Sequence, residues 1–152
     1  MKPDKFLAQS KKQIKAMKEM KKKFVAVGVL ANEATGRAYE SGANVLQVAA
    51  ANEFGTTTNP QRSFLVMPQE LKAPEISKFI GVQLGKVLEG RQVEKALGLI
   101  GTFVVNVSVD AFDTGGFGKW PALSDETKAA KGSSAPLIDT GLLKNSVTYE
   151  IR

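Results

Sequence analysis

The apolar positions change period along the chain, and each change marks an element. Over residues 75–89, Ile76, Phe79, Ile80, Leu84, Val87 and Leu88 fall at i, i+3, i+4, i+8, i+11 and i+12. That spacing puts them on one stripe of an amphipathic helix, with Pro74 at its start and Gly90 at its end. Over residues 92–112, Val93, Ala96, Leu97, Ile100, Val104, Val107 and Ala111 keep the helical period. Residues 105–109 also alternate like a strand, but a periodic stretch of about 20 residues favours a helix whose β-branched end frays. Residues 24–30 and 146–151 alternate with period two, which predicts two strands. Pairing them brings both ends of the body together.

Shorter segments fill the intervals. Residues 3–22 read as a helix opened by Pro3 and free of glycine. Leu7, Ile14, Met17 and Met20 recur near a helical spacing, but the stripe is thin, so this helix needs a partner surface. Residues 31–43 carry Asn32, Gly36, Ser41 and Gly42, the marks of a loop or an irregular hairpin. Residues 44–53 predict a short helix capped by Asn44, with Val45, Val48, Ala49 and Asn52 inward and Gly55 as its stop. Residues 56–73 form a connecting segment with Pro60 and Pro68. Its apolar part, 62–67, is either a loop packed on the core or an exposed anchor, since arginine and aromatic anchors are enriched in interfaces. Gly81 and Gly85 are spaced as GxxxG in a segment too polar for a membrane helix, which predicts close helix packing. Residues 113–119 read as a flexible, glycine-rich loop and 131–136 as a second loop. Ser124 can cap one short turn, and Asp139 or Thr140 another that runs through Leu142 and Leu143.

The pattern as a whole predicts an α+β fold. A small antiparallel sheet packs against two long amphipathic helices, preceded by a lysine-rich N-terminal helix. The 152 residues suit one domain, with 1–23 as the basic helix and 24–152 as the body.

Charge sharpens that division. Nine lysines against two acids leave +7 on residues 1–23, and twelve basic against thirteen acidic residues leave −1 on the rest. A near-neutral body is unlike a fold with a basic groove across it. The lysines form a solvated face or contact phosphates or an acidic subunit. Lys11, Lys12, Lys15, Lys18 and Lys22 are the candidates to face DNA.

Composition then narrows the chemistry. The chain has no cysteine and no histidine. Disulfides, thiolate metal sites, Ser-His-Asp triads and HExxH zinc sites are therefore excluded. No apolar run approaches the ~20 residues that span a bilayer, and no apolar stretch after the lysines suits a signal segment. A soluble chain with no membrane contact is expected. The run Asp113-Thr-Gly-Gly-Phe-Gly-Lys119 fails as a P-loop: Asp113 holds the first glycine position and Trp120 stands where a magnesium-binding Ser or Thr is needed. Among Asp110, Asp113, Asp125 and Glu126 nothing distinguishes a catalytic pair from surface acids. The chain reads as non-catalytic and without a cofactor.

Two blocks of residues carry a resemblance. The first is Ala51-Asn-Glu-Phe-Gly-Thr56 followed by Pro60-Gln-Arg-Ser-Phe-Leu65. The second runs Trp120-Pro-Ala-Leu-Ser124, Glu126-Thr127, Lys131-Gly132 and then Pro136-Leu-Ile-Asp-Thr-Gly-Leu-Leu-Lys-Asn-Ser-Val147. They resemble the "N-E-F-G-T … P-x-R-P-F-L" and "W-x-x-L-S-x-x-T … K-G … P-L-x-x-T-G-x-L-x-x-S" blocks of tailed-phage virion-morphogenesis and minor tail proteins, the family of lambda tail protein Z and the Mu-type virion morphogenesis proteins. Ser63 replaces the usual proline, which loosens that turn slightly. The resemblance spans roughly residues 24–151. It implies an α+β subunit of the phage neck or tail that completes the tail or joins head to tail. It implies a self-assembled ring, of six copies, around the DNA channel. Its partners are then itself, other neck and tail proteins and packaged DNA, and its place is the virion after synthesis in the bacterial cytoplasm. Glu53, Phe54 and Gly55 read as a structural turn. Arg62, Phe64, Leu65, Phe117 and Trp120 are the candidate subunit contacts, with Trp120 equally suited to capping the core. The loops 31–43, 56–67 and 113–120 are the candidate reaching elements. With no single large apolar face evident, the subunit is expected to be monomeric before assembly. The competing reading is a nucleic-acid-binding module that works through the basic helix.

Overall fold

The computed structural model describes residues 3–30, 42–122, 129 and 141–152. The elements in chain order are α1 (Pro3–Met20), β1 (Val25–Val29), α2 (Val45–Phe54), α3 (Val66–Leu71), α4 (Ala73–Leu88), α5 (Val93–Asp113), α6 (Leu142–Asn145) and β2 (Val147–Ile151). The fold is mixed helix and strand. The loop 31–41, the Ser124 cap, the 131–136 loop and the Asp139 or Thr140 cap lie outside the described residues.

β1 and β2 pair antiparallel, from Val25 opposite Ile151 to Val29 opposite Val147. Phe24 and Arg152 extend the ladder by exchanging backbone bonds of 2.8 and 2.9 Å. The two ends of the body therefore meet in one ribbon, as their alternation suggests. A two-stranded ribbon is marginal alone and needs a helix against it. α5 supplies that support, touching both strands. Tyr149 of β2 lies over the helix at Gly101, where an added Cβ would come within 2.3 Å of the tyrosine ring.

α5 is the axis of the molecule. Its length and apolar composition alone would let it cross a bilayer. Ten of its positions are instead buried in the core, among them all seven that the helical period picks out. At its N-terminal half, Val93, Ala96, Leu97, Ile100 and Val104 form one core cluster with Val87. Ile76, Phe79 and Ile80 of α4, Val25 and Val27 of β1 and Ile151 of β2 close over it. Phe79 and Phe103 stack across the α4–α5 contact with centroids 4.4 Å apart. At the C-terminal half, Phe112 joins Val45, Ala49, Phe64, Leu143 and Val147 in a second cluster. α4 packs on α5 and α3, and α5 is the helix that carries the sheet.

Three details differ from the expectation. Gly81 and Gly85 face open space, so the GxxxG spacing in α4 makes no close contact. The segment 56–73 contains a helix, α3, that its prolines conceal. α1 rests on its neighbours through only the end of its apolar stripe: Met20, with Ala16, packs on the first cluster, and Gln13 Nε2 donates to the Leu88 carbonyl at 3.1 Å. Leu7, Ile14 and Met17 remain 56%, 52% and 49% exposed. Beyond α1, Lys23 bridges Glu19 at 3.4 Å and Glu94 of α5 at 2.5 Å. The bond to Glu94 raises the lysine pKa, and the same bond lowers that of Glu94.

Candidate functional site

Residues 52–64 and residues 120–122 lie far apart in the chain and meet at one polar node. Its centre is Glu53, in the last turn of α2. Asn44 opens that helix with a capping box, accepting from Gln47 N while the Gln47 side chain accepts from Asn44 N. Val45, Ala49 and Glu53 then follow at four-residue intervals on the inner face, so the carboxylate enters the core and is only 5% exposed.

Four donors converge on it. Oε1 accepts from Ser63 Oγ at 2.7 Å and from Val66 N at 3.0 Å. Oε2 accepts from Phe64 N at 2.9 Å and Leu65 N at 3.0 Å. A buried carboxylate persists only when its lone pairs are met in this way. The same bonds explain α3. The first N–H groups of a helix have no partner inside it. Glu53 takes that of Val66, and Ser63 Oγ takes that of Met67 at 2.9 Å. Pro68 has no N–H to satisfy, so it suits this first turn. Ser63 thus both donates and accepts, two bonds that proline cannot make.

Residues 55–62 fold back along α2. Gly55 turns the chain at φ 75°, with a would-be Cβ only 3.1 Å from Gln61 N. Only glycine fits both the angle and the space. Arg62 N donates to the Asn52 carbonyl at 2.8 Å, Gln61 Nε2 to the Glu53 carbonyl at 2.9 Å, and Asn59 Nδ2 to Asn52 Oδ1 at 3.1 Å.

The second block docks through Arg62 and Trp120. Arg62 is 4% exposed. Its Nε donates to the Pro121 carbonyl at 3.1 Å, Nη2 to the Ala122 carbonyl at 3.2 Å and Nη1 to Asn59 Oδ1 at 3.3 Å. These partners are neutral, and burial lowers the guanidinium pKa from its usual value. Trp120 Nε1 donates to the Ser63 carbonyl at 2.9 Å. Its ring meets Phe112 edge-on at 5.8 Å, and Phe112 meets Phe64 at 5.1 Å. The glycine loop makes room: a Cβ on Gly116 would lie 2.2 Å from the tryptophan ring. Gly115, Gly116, Phe117 and Gly118 all have positive φ. The N–H groups of residues 116–120 bond to acceptors within residues 111–116, with Thr114 Oγ1 taking that of Phe117 at 3.0 Å. The segment is a left-handed turn hydrogen-bonded within itself, where the sequence suggests an open loop.

The candidate residues separate accordingly. Phe64 is fully buried and Arg62 nearly so. Both are core residues of the subunit, which corrects their reading as exposed anchors. Leu65 and Trp120 are half-buried against the same cluster. Phe117 stands apart, half-buried, with Lys72 Nζ 5.4 Å from its ring centre. Arg62, Ser63 and Phe64 of the segment 56–67 and Trp120 at the end of 113–120 pack on this chain's own core, while Thr56 to Thr58, Val66 and Lys119 stay exposed. Lys11, Lys12, Lys15, Lys18 and Lys22 are exposed on or just beyond α1, remote from the node. Lys12 also lines a cleft of about 530 Å³ beside the α4–α5 turn, with Lys5 and Arg91.

Sequence reasoning missed Glu53, Ser63 and Asn59 as a bonded group. The signal for Glu53 was its four-residue step from Val45 and Ala49. Chemically the node is an organiser: its carboxylate is enclosed and saturated with donors. Among the described residues no group of three carboxylates stands together as a metal site. No protein-family model matches the chain, and neither a curated protein nor a solved structure does.

Proposed function

We propose that the chain is a non-catalytic structural subunit of a tailed-phage neck or tail. It forms a ring, of six copies, at the head–tail junction and serves tail completion or head-to-tail joining. Its ring neighbours are copies of itself, and the ring contacts neck and tail proteins on either side and the packaged DNA within. The body, 24–152, is the tail-completion-like domain, with its sheet and two long amphipathic helices, and the lysine-rich helix 1–23 is an appendage to it.

One observation carries this reading. Among the residues that bear the resemblance, Asn52, Glu53, Arg62, Ser63 and Phe64 are buried together, and Trp120 and the Pro121 and Ala122 carbonyls bond to them. That these residues pack together is what supports the reading.

The alternative is nucleic-acid binding through the basic helix. Its support is that Lys11, Lys12, Lys15, Lys18 and Lys22 are exposed and make no ion pair among the described residues. No aromatic side chain alternates with these lysines to stack bases.

The test is electron microscopy of particles from a phage or induced prophage lacking this chain. Filled heads lying apart from tails, with infectivity restored by adding the purified protein, are expected. Tails of uncontrolled length would point to tube termination instead. Joined, infectious virions would overturn the structural reading and leave the basic helix as the functional element.

A further inference from the structure

The cleft between α1 and the α4–α5 turn gathers cations that the fold itself does not use. It holds about 530 Å³. Lys5, Gln9 and Lys12 line it from α1, and Leu88, Gly90 and Arg91 line it from the turn. Lysines recur all along α1, so two of them in a cleft decide nothing alone. Arg91 belongs to the near-neutral body, yet it lines the same cleft. Its Nη1 donates to Oε1 of Gln83, a buried neutral side chain, which holds the guanidinium without cancelling its charge. Lys5, Lys12 and Arg91 make no ion pair among the described residues. Glu89, the acid among the described lining residues, is paired with Lys86 at 2.8 Å.

Basic side chains beside a helix C-terminus ordinarily serve its last carbonyls. Here the last four of α4 are already met. Gly85 O accepts from Glu89 N, Lys86 O from Arg91 N, Val87 O from Gly90 N and Leu88 O from Gln13 Nε2. The three cations of the cleft are therefore surplus to the helix end.

We infer that this cleft binds the sugar–phosphate backbone of DNA, with Lys5, Lys12 and Arg91 each meeting a phosphate. This rests on the contact with packaged DNA proposed above, and it assigns that contact to a built cleft that includes a residue of the body. Lys5 and Lys12 are seven residues apart, so their backbones stand about 10 Å apart along α1. Charges spread in this way suit successive phosphates better than one phosphate ion. Duplex DNA carries a negative charge about every 1.7 Å of its axis, whereas an extended acidic peptide carries at most one about every 3.3 Å. Three cations with no counter-charge favour the denser row. The described lining has no aromatic side chain on which to stack a base, so the contact is to backbone and reads no sequence.

Fluorescence anisotropy of a labelled DNA duplex, titrated with the full chain over a range of salt, tests this. Wild-type protein is expected to bind, with log affinity falling linearly against log salt. Arg91→Gln and Lys12→Gln should each make that slope about 0.9 shallower, the loss of one phosphate contact. Lys21→Gln removes one charge from the same basic segment outside the cleft lining, and its slope should match wild type. Thermal melting checks folding, and Lys5→Gln, at an exposed position, provides a further cleft variant. An unchanged slope in the cleft variants that fold would overturn the proposal, as would an equal change in Lys21→Gln. Absence of binding at low salt would overturn it too. Polyglutamate that displaces the DNA at equal charge and salt would overturn it in favour of an acidic protein. Inorganic phosphate that does so at equal ionic strength would overturn it in favour of a single-anion pocket. None of these results bears on the deletion phenotype, so failure here is distinguishable from failure of the neck reading.

Discussion

Four hydrogen bonds converge on the Glu53 carboxylate, and each donor is orphaned if it goes. A bond to a charged group contributes about 1.5–3 kcal/mol, and a buried donor left unmet costs about 1–3 kcal/mol. Glu53→Ala should therefore lose at least about 3 kcal/mol of unfolding free energy, read by urea titration. Glu53→Gln keeps one acceptor oxygen but turns an NH2 toward other donors, so it should fall between wild type and alanine. A loss under about 1 kcal/mol for alanine would contradict the node as described. The four-residue step from Val45 and Ala49 puts Glu53 on the inner face, yet the sequence alone reads it as part of a structural turn. Its role was not legible. Its donors lie ten to thirteen residues further on, and local pattern says nothing about where a side chain meets a returning loop. Arg62 and Phe64 show the same limit. An arginine beside an aromatic suits an interface or a core, and only the carbonyls of Pro121 and Ala122 decide for the core.

At the scale of elements, the helices and strands with a full period were legible. α4, α5, β1 and β2 have enough repeats for the inward face to declare itself. α5 kept its helix through the β-branched run at 104–109 because Val104, Val107 and Ala111 all point into packing. α3 was hidden because its start depends on Glu53 and Ser63, outside its own six residues. The glycines misled as well. The GxxxG of α4 faces open space, whereas Gly101 of α5 admits the Tyr149 ring. The tyrosine atoms nearest that position include the root of its ring, Cγ, at 2.4 Å. The ring cannot swing clear without moving β2. Gly101→Ala should therefore destabilise the protein by about 1–3 kcal/mol despite alanine's better helix propensity, measured by thermal or urea unfolding. A neutral or stabilising result would show that the β2–α5 contact is looser than the geometry requires. α1 is the other lesson. Its stripe was legible, but only Met20 of it packs on the first cluster, and Leu7, Ile14 and Met17 stay half exposed.

For the whole molecule, charge and packing divide along the same line. The basic helix adds lysines to one end of α5, and the bonded node holds the other end around Phe112 and Trp120. A rigid node with no accessible acid suits a part whose task is to hold shape. Composition had already removed histidine and cysteine chemistry, and the near-neutral body had confined the basic character to α1. The sequence could not show that Leu7, Ile14 and Phe54 stay exposed, because exposure depends on which side of each helix the core takes. The central claim is the place of this subunit in the virion. Immunogold electron microscopy of purified virions carrying an epitope tag after Arg152 tests it most directly. Label confined to the junction between head and tail, on most particles, is the predicted result. Unlabelled virions, or label on the head shell or the tail tip, would contradict the account.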